Sequence, residues 1–264
     1  GRKRSRRSRM STLLLRLTGP MQSWGFQSRF RERDTGLEPT KSGVIGLLCA
    51  ALGRDRAESV DDLAALRMGV RVDREGILKN DYHTTGGSRY GSRFYGVAFP
   101  DGKGRTTVLS NRQYLADAEF LVGLEGDEPL LAQLEQALAR PKTQIFFGRK
   151  SFVPGAPLLL PQIEPWTPGL RDIPLLDLLR SYPWLGHLEP PRRRRAPDRI
   201  RIVVDSGGEL THDVRNDVPV SFEDRLFSSR YVETEWLAEN RVRLCAADLD
   251  GSEVDREISR QIRA

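Results

Sequence analysis

Tyr82, His83 and Lys150 are the only grouping in this 264-residue sequence that suits proton transfer and charge stabilisation at a phosphate, the work of a metal-free ribonuclease. Adjacent residues of a strand point to opposite faces, so Tyr82 and His83 need not share a site. One can pack while the other hydrogen-bonds at the base of a hairpin. Other chemistries lack their parts. The three histidines, His83, His187 and His212, show no metal-ligand spacing, and no Cys pair completes a zinc site. Cys49 and Cys245 lie far apart and read as packing residues. There is no Walker loop, no GxGxxG after a strand and no GxSxG elbow. Neither a metal nor a cofactor is expected.

A second chemistry, the binding of single-stranded RNA, has more residues behind it. Tyr82, Tyr90, Phe94, Tyr95, Phe99 and Tyr114 are interleaved with Arg89, Arg93, Lys103, Arg105 and Arg112, near Gly86, Gly87, Gly91 and Gly96. Aromatic faces stack on unpaired bases, arginine engages phosphate, and glycine lets backbone approach RNA. An ordinary flexible hairpin with aromatics packed beneath it has the same composition. The turn Gly148, Arg149, Lys150, Ser151 would present two cations and several amides to a phosphate, or be a plain solvated turn. Gln22, Ser23 and Trp24 follow a strand, and Lys41 and Ser42 open a helix, so together these can hold a nucleotide. Trp24 is equally suited to a core edge.

Charge is informative only when located. The net charge of +6 comes from residues 1–10, which carry six Lys or Arg and no acid, leaving 36 basic against 36 acidic groups. Residues 82–115 carry five basic groups against Asp101 alone, whereas residues 201–264 carry 9 basic and 14 acidic. The first stretch can face phosphates, and the second is poorly suited to do so. No apolar run reaches the roughly 18 residues a bilayer span needs, and the basic opening is not followed by a signal-peptide core, so a cytoplasmic protein without a membrane partner is expected.

The elements that would position these groups follow from periodicity. Thr12–Thr18 has strand composition and stops at Gly19-Pro20. Thr40 or Ser42 caps a helix whose Val44, Leu47, Leu48 and Ala51 recur at spacings of three and four until Gly53. Met68–Asp73 alternates as a half-buried strand, Ile77–Thr85 and Val108–Ala116 flank a long hairpin, and Phe120–Leu124 is a further strand. Asp127, Pro129, Leu131, Leu134 and Leu138 mark a second amphipathic helix, and Gln144–Phe147 returns as a strand. That order predicts an α+β, ferredoxin-like (RRM-like) fold, an antiparallel sheet with two helices on one face. The predicted layout is a solvated basic arm at 1–10, this domain at 11–153, a proline-rich surface connection at 154–198, a mostly β extension at 199–240 and a charged tail at 241–264.

The motifs LRLTGPMQSWG, PTKSGVIGLLCAALG, DYHTTGG, NRQYLADAEF and FFGRKSF, in that order, resemble the Cas-five family of CRISPR-associated proteins in its subtype I-E form, within the complex called Cascade. The likeness runs from about Leu13 to Ser151 and resumes in Arg215–Trp236. It implies a repeat-associated RNA-binding fold whose projecting thumb hairpin corresponds to residues 86–108. It further implies a non-catalytic subunit that holds the 5′ handle of CRISPR RNA and caps an assembly in antiviral defence. Its neighbours would be the backbone subunit CasC and the large subunit CasA, with target DNA met through the complex, while a separate subunit, CasE, usually cleaves the precursor RNA. The RNA-binding residues it implies are Gln22, Ser23, Trp24, Lys41, Ser42, Tyr82, His83, Arg112, Tyr114, Gly148, Arg149, Lys150 and Ser151, to which the hairpin composition adds Arg89 and Arg93. The related type I-C branch cleaves repeat RNA, which keeps a metal-independent endoribonuclease as the alternative. The basic arm, the Arg192–Arg195 run and the lack of a glycine-rich loop near the C-terminus depart from the family pattern.

Overall fold

The computed structural model describes residues 10–26, 31–91, 93–99, 101–161, 169–188, 197–207 and 213–238. The basic arm, the Arg192–Arg195 run and the tail therefore lie outside the described residues. In chain order the elements are β1 (Met10–Thr18), β2 (Met21–Gln22), β3 (Glu32–Arg33), α1 (Lys41–Leu52), α2 (Asp61–Ala64), β4 (Arg67–Arg74) and β5 (Ile77–Thr85). Four short strands follow, β6 (Ser88–Tyr90), β7 (Arg93–Tyr95), β8 (Val97–Ala98) and β9 (Arg105–Thr106), then β10 (Val108–Ala116), β11 (Glu119–Asp127) and α3 (Glu128–Ala139). The last are α4 (Leu175–Ser181), β12 (Arg199–Asp205), β13 (Asp213–Ser221) and β14 (Leu226–Ala238).

The main sheet has six antiparallel strands in the order β1-β11-β4-β12-β14-β13. Alternation along β1 divides its side chains between two cores. Leu13, Leu15 and Leu17 pack with α1 and α3, whose apolar faces carry Val44, Leu48, Leu131 and Leu134. Leu14 packs on the other face with Leu121, Ile200, Ile202 and the α4 residues Leu175, Leu178 and Leu179. Helices were expected on one face only, and β4 as half-buried. Instead α4 covers the second face, and both sides of β4 are buried: a Cβ added at Gly69 would lie 2.6 Å from Leu179 Cδ1. The expected surface connection thus contains a core helix. Its short leucine run was hidden among prolines.

Buried polar bonds fix α4 on the sheet. The Arg71 guanidinium pairs with Asp73 at 2.6 Å and donates to the Leu179 and Pro183 carbonyls at 2.8 Å each. Asp73 in turn accepts from Leu185 N at 2.7 Å. A cation among the final carbonyls of a helix is favourable both as a donor and against the helix dipole.

Gln144–Phe147, expected as a strand, forms none. Its backbone is committed elsewhere: Phe147 N donates to Phe152 O at 2.7 Å and Phe147 O accepts from Ser23 N at 3.1 Å. Among the described residues the outer edge of β1 meets isolated bridges, Leu15 with Leu159 and Thr12 with Arg171, and Thr18 O accepts from Gly155 N at 2.8 Å. A second, smaller sheet is built on β10, which pairs with β5 along its whole length and with β2 and β3 on its other edge. Beyond β5 and β10 the chain continues as the small pairs β6/β7 and β8/β9.

Candidate nucleic-acid interface

The site begins with two short loops that need glycine to meet. Gly148 has φ +84°, and a Cβ there would lie 1.9 Å from the Ser23 carbonyl oxygen, so only glycine lets this turn dock on the first loop. Gly43 does the same for α1: a Cβ there would lie 2.8 Å from Trp24 Cε3. Thr40 caps α1 by accepting from Gly43 N at 3.3 Å. The docked loops and the start of α1 enclose a cleft of about 680 Å³ with β3, β10 and the β13/β14 turn.

Five arginines, Arg33, Arg56, Arg112, Arg149 and Arg225, line this cleft against the acids Asp34 and Asp217. Register explains part of the grouping, because Arg33 and Arg112 are partners across β3 and β10 and so stand on one face. Arg112 Nε donates to Ser110 Oγ at 3.0 Å, and Arg149 Nη2 donates to Gln113 O at 2.7 Å while the guanidinium lies 5.2 Å from the Phe152 ring centre. Arg149 Nη1 is buried and has no hydrogen-bond partner among the described residues. Burial, with the charges of Arg112 and Arg33 nearby, pushes the Arg149 guanidinium below its usual range, and Asp81 offsets part of this. Among the described residues no carboxylate is in ion-pair contact with Arg33, Arg112 or Arg149. A buried donor beside clustered cations that no carboxylate contacts is suited to an anion of two or more oxygens, such as phosphate.

Of the residues singled out from sequence, Ser23, Trp24, Ser42, Arg112, Gly148 and Arg149 line this cleft together. Lys150 and Ser151 are exposed in the same turn as Arg149. Others are placed differently. Gln22 is fully buried, donating to Leu17 O at 3.2 Å and Ala118 O at 2.8 Å and accepting from Trp24 Nε1 at 3.2 Å. Trp24 is itself 1% exposed and packs 5.7 Å from Phe147, so these two side chains hold the loop rather than face a ligand. Lys41 is buried too: its Nζ lies 3.0 Å from Asp205 and its N–H donates to Asp217 at 2.8 Å. The expectation of RNA contacts from the side chains of Gln22, Trp24 and Lys41 is corrected accordingly. Tyr114 is half-buried, its ring centre 5.7 Å from that of Phe152.

Tyr82 and His83 do not converge. His83 shares the Arg112 face through the register Ser110 with His83 and Arg112 with Asp81, and its Nε2 lies 2.7 Å from Asp81 Oδ2. Tyr82, 61% exposed, points the other way. Arg89 and Arg93 sit on the β6/β7 pair, where Arg93 lies 5.8 Å from the Tyr95 ring centre. Sequence reasoning missed Arg33, Arg56, Arg225 and the exposed rings of Phe26 and Phe227. Only the parallel pairing of β3 with β10 would have pointed to Arg33, and two-residue strands leave no periodicity.

The span that builds this cleft also carries the likeness to known proteins. A family model described as CRISPR-associated protein (Cas_Cas5) matches residues 12–233. The chain belongs to this Cas5 family. It is 38% identical over 165 residues to the CRISPR system Cascade subunit CasD of Escherichia coli (strain K12), covering 57% of this chain and 70% of that one. A crystal structure of a Cas protein superposes with a TM-score of 0.66 at 42% identity, covering 88% of this chain and 97% of its own. A chain of a CRISPR RNA-guided surveillance complex gives 0.69 at 32% identity, covering 96% and 100%. The Cas5 match includes every arginine of the cleft. Among the described residues no group of His, Cys, Asp and Glu is arranged to hold a metal, and no helix is long and apolar enough to cross a membrane.

Proposed function

We propose that this Cas5-family chain is a non-catalytic subunit of a type I-E CRISPR Cascade complex that binds the 5′ handle of CRISPR RNA and caps the backbone assembly. The observation that supports this reading is the cluster of Arg33, Arg112 and Arg149, which among the described residues has no carboxylate in ion-pair contact and contains a buried donor without a hydrogen-bond partner. Ser42, Gly148, Lys150 and Ser151 would add amides, a hydroxyl and a cation around the same phosphates. The main sheet is read as ferredoxin-like, with α1 and α3 over β1, β11 and β4 and the bridges at Leu159 and Arg171 in place of a fourth strand. The domain expected at 11–153 would be built on it, and β12, β13 and β14 extend the sheet. The hairpin beyond Gly86 would serve as the thumb, with Tyr82 at its base, placing Arg89 and Arg93 against RNA and the CasC backbone, with CasA adjacent and target DNA reached through the complex. Such an assembly works in the cytoplasm.

The opposed faces of Tyr82 and His83 argue against a nuclease that uses both at one phosphate. The purified chain should retain handle-bearing RNA in preference to RNA with a scrambled handle, and equal retention would refute handle recognition. Labelled repeat RNA incubated with the chain in EDTA should stay intact. Cleavage that disappears in His83→Ala would instead establish the nuclease.

A further inference from the structure

The arginine cleft adjoins a second, larger one of about 1070 Å³, and the two share Phe26, Thr40, Asn216 and Asp217 in their walls. Their electrostatics differ. The three cations of the second cleft are all ion-paired: Arg201 with Glu38 at 2.8 Å, Arg215 with Glu38 at 3.3 Å and Arg230 with Asp217 at 2.6 Å. Cations already in ion pairs attract a phosphate less than unpaired ones do, and Arg215 Nε, buried without a hydrogen-bond partner, leaves one donor for a neutral acceptor.

Phe26 stands where the two clefts meet, and its ring is 53% exposed. It is nevertheless held in place. Its N–H donates to Asp34 at 3.3 Å, and the neck of its loop is closed by Gly36 N to Trp24 O and Trp24 N to Thr35 Oγ1, each at 2.8 Å. Gly36 lies beneath the ring, since a Cβ there would come within 3.9 Å of Phe26 Cδ1. A positioned, half-exposed aromatic between a cationic cleft and a charge-balanced one has the form of a stacking platform. Around it, Leu37 and Val214 are each 53% exposed, and Asn216 Oδ1 accepts from Ser229 Oγ at 2.5 Å, leaving the amide N–H₂ to donate. Apolar walls with one amide at the rim match the face and edge of a nucleobase.

We infer that one unpaired base of the bound RNA leaves the strand's own stack, lies on Phe26 and enters the second cleft, while its phosphate stays with Arg112 and Arg149. This rests on the RNA-handle reading and adds the orientation of a nucleotide. In a single strand the extrusion sacrifices only stacking, which the Phe26 face replaces.

The test uses the full chain and handle RNA carrying one abasic residue at each position in turn. Wild-type protein should bind one of these RNAs about 5- to 150-fold more weakly than intact RNA, the range expected for loss of one stacked base. Phe26→Ala should weaken intact RNA by a similar factor, and in that variant the same abasic residue should bring no further loss. Phe26→Trp, which keeps an aromatic face, should restore both. Unchanged binding by Phe26→Ala, or two losses that simply multiply, overturns the inference. If Arg112→Ala weakens binding while Phe26→Ala does not, the handle reading survives and only the base pocket falls. Should the wild-type chain bind no handle RNA, both fail.

Discussion

Two groups of cations flank the first turn of α1 and differ in what answers their charge. On one side buried Lys41 and half-buried Arg230 are paired with Asp205 and Asp217: Arg230 Nε lies 2.6 Å from Asp217, its Nη1 reaches Asp205, and Asp217 also accepts the Lys41 N–H. These carboxylates hold the Arg230 guanidinium above its usual range despite its burial. On the other side Arg33, Arg112 and Arg149 have no such partner among the described residues, and Arg149 is pushed below its range. The first group spends its charge inside the fold, joining β13 and β14 to α1. The second leaves its charge unanswered by any ion pair among the described residues. A lysine or arginine is therefore a poor pointer to ligand binding until its carboxylates have been counted.

Asp217→Ala should produce the largest effect. It leaves Arg230 half-paired and the α1 N-terminus uncovered, so urea unfolding should show a loss of about 3–5 kcal/mol, as for other broken buried pairs. A loss under about 1 kcal/mol would erase the distinction between the groups. Next come Arg112→Ala and Arg149→Met, which should weaken handle RNA by about 1–3 kcal/mol each while leaving the unfolding midpoint near wild type. Should either instead destabilise the fold as Asp217→Ala does, its charge is structural. The smallest effect is expected for Arg33→Ala, read as salt dependence: the slope of log affinity against log salt should fall by about 0.7, the step for one phosphate of a single strand left unneutralised. An unaltered slope would remove Arg33 from the phosphate path.

Much of the framework was legible in sequence because it rests on local periodicity. Val44, Leu47 and Leu48 in α1, Leu131, Leu134 and Leu138 in α3, and the pairing of Ile77–Thr85 with Val108–Ala116 all appear as expected. The strand expected at Gln144–Phe147 failed because its backbone is bonded to Phe152 and the first loop, contacts that carry no period. β14 went unread because its buried residues, Val232 and Leu237, fall five apart rather than two. The cleft was legible only in pieces. Ser23, Arg112 and Arg149 were singled out, but residues near 24, 33, 43, 112, 149 and 217 meet only in three dimensions. Burial of Gln22, Trp24 and Lys41 likewise depends on partners far away in the chain.

The hydrogen bond between Lys41 N and Asp217, separated by 176 positions, bears on when this protein becomes functional. Early strands and helices can form as the ribosome delivers them, yet the far wall of the cleft arrives only with Asn216, Asp217 and Arg225. A chain released before that point would carry Arg33, Arg112 and Arg149 with one wall missing. The cleft as a whole is thereby complete only near the end of synthesis.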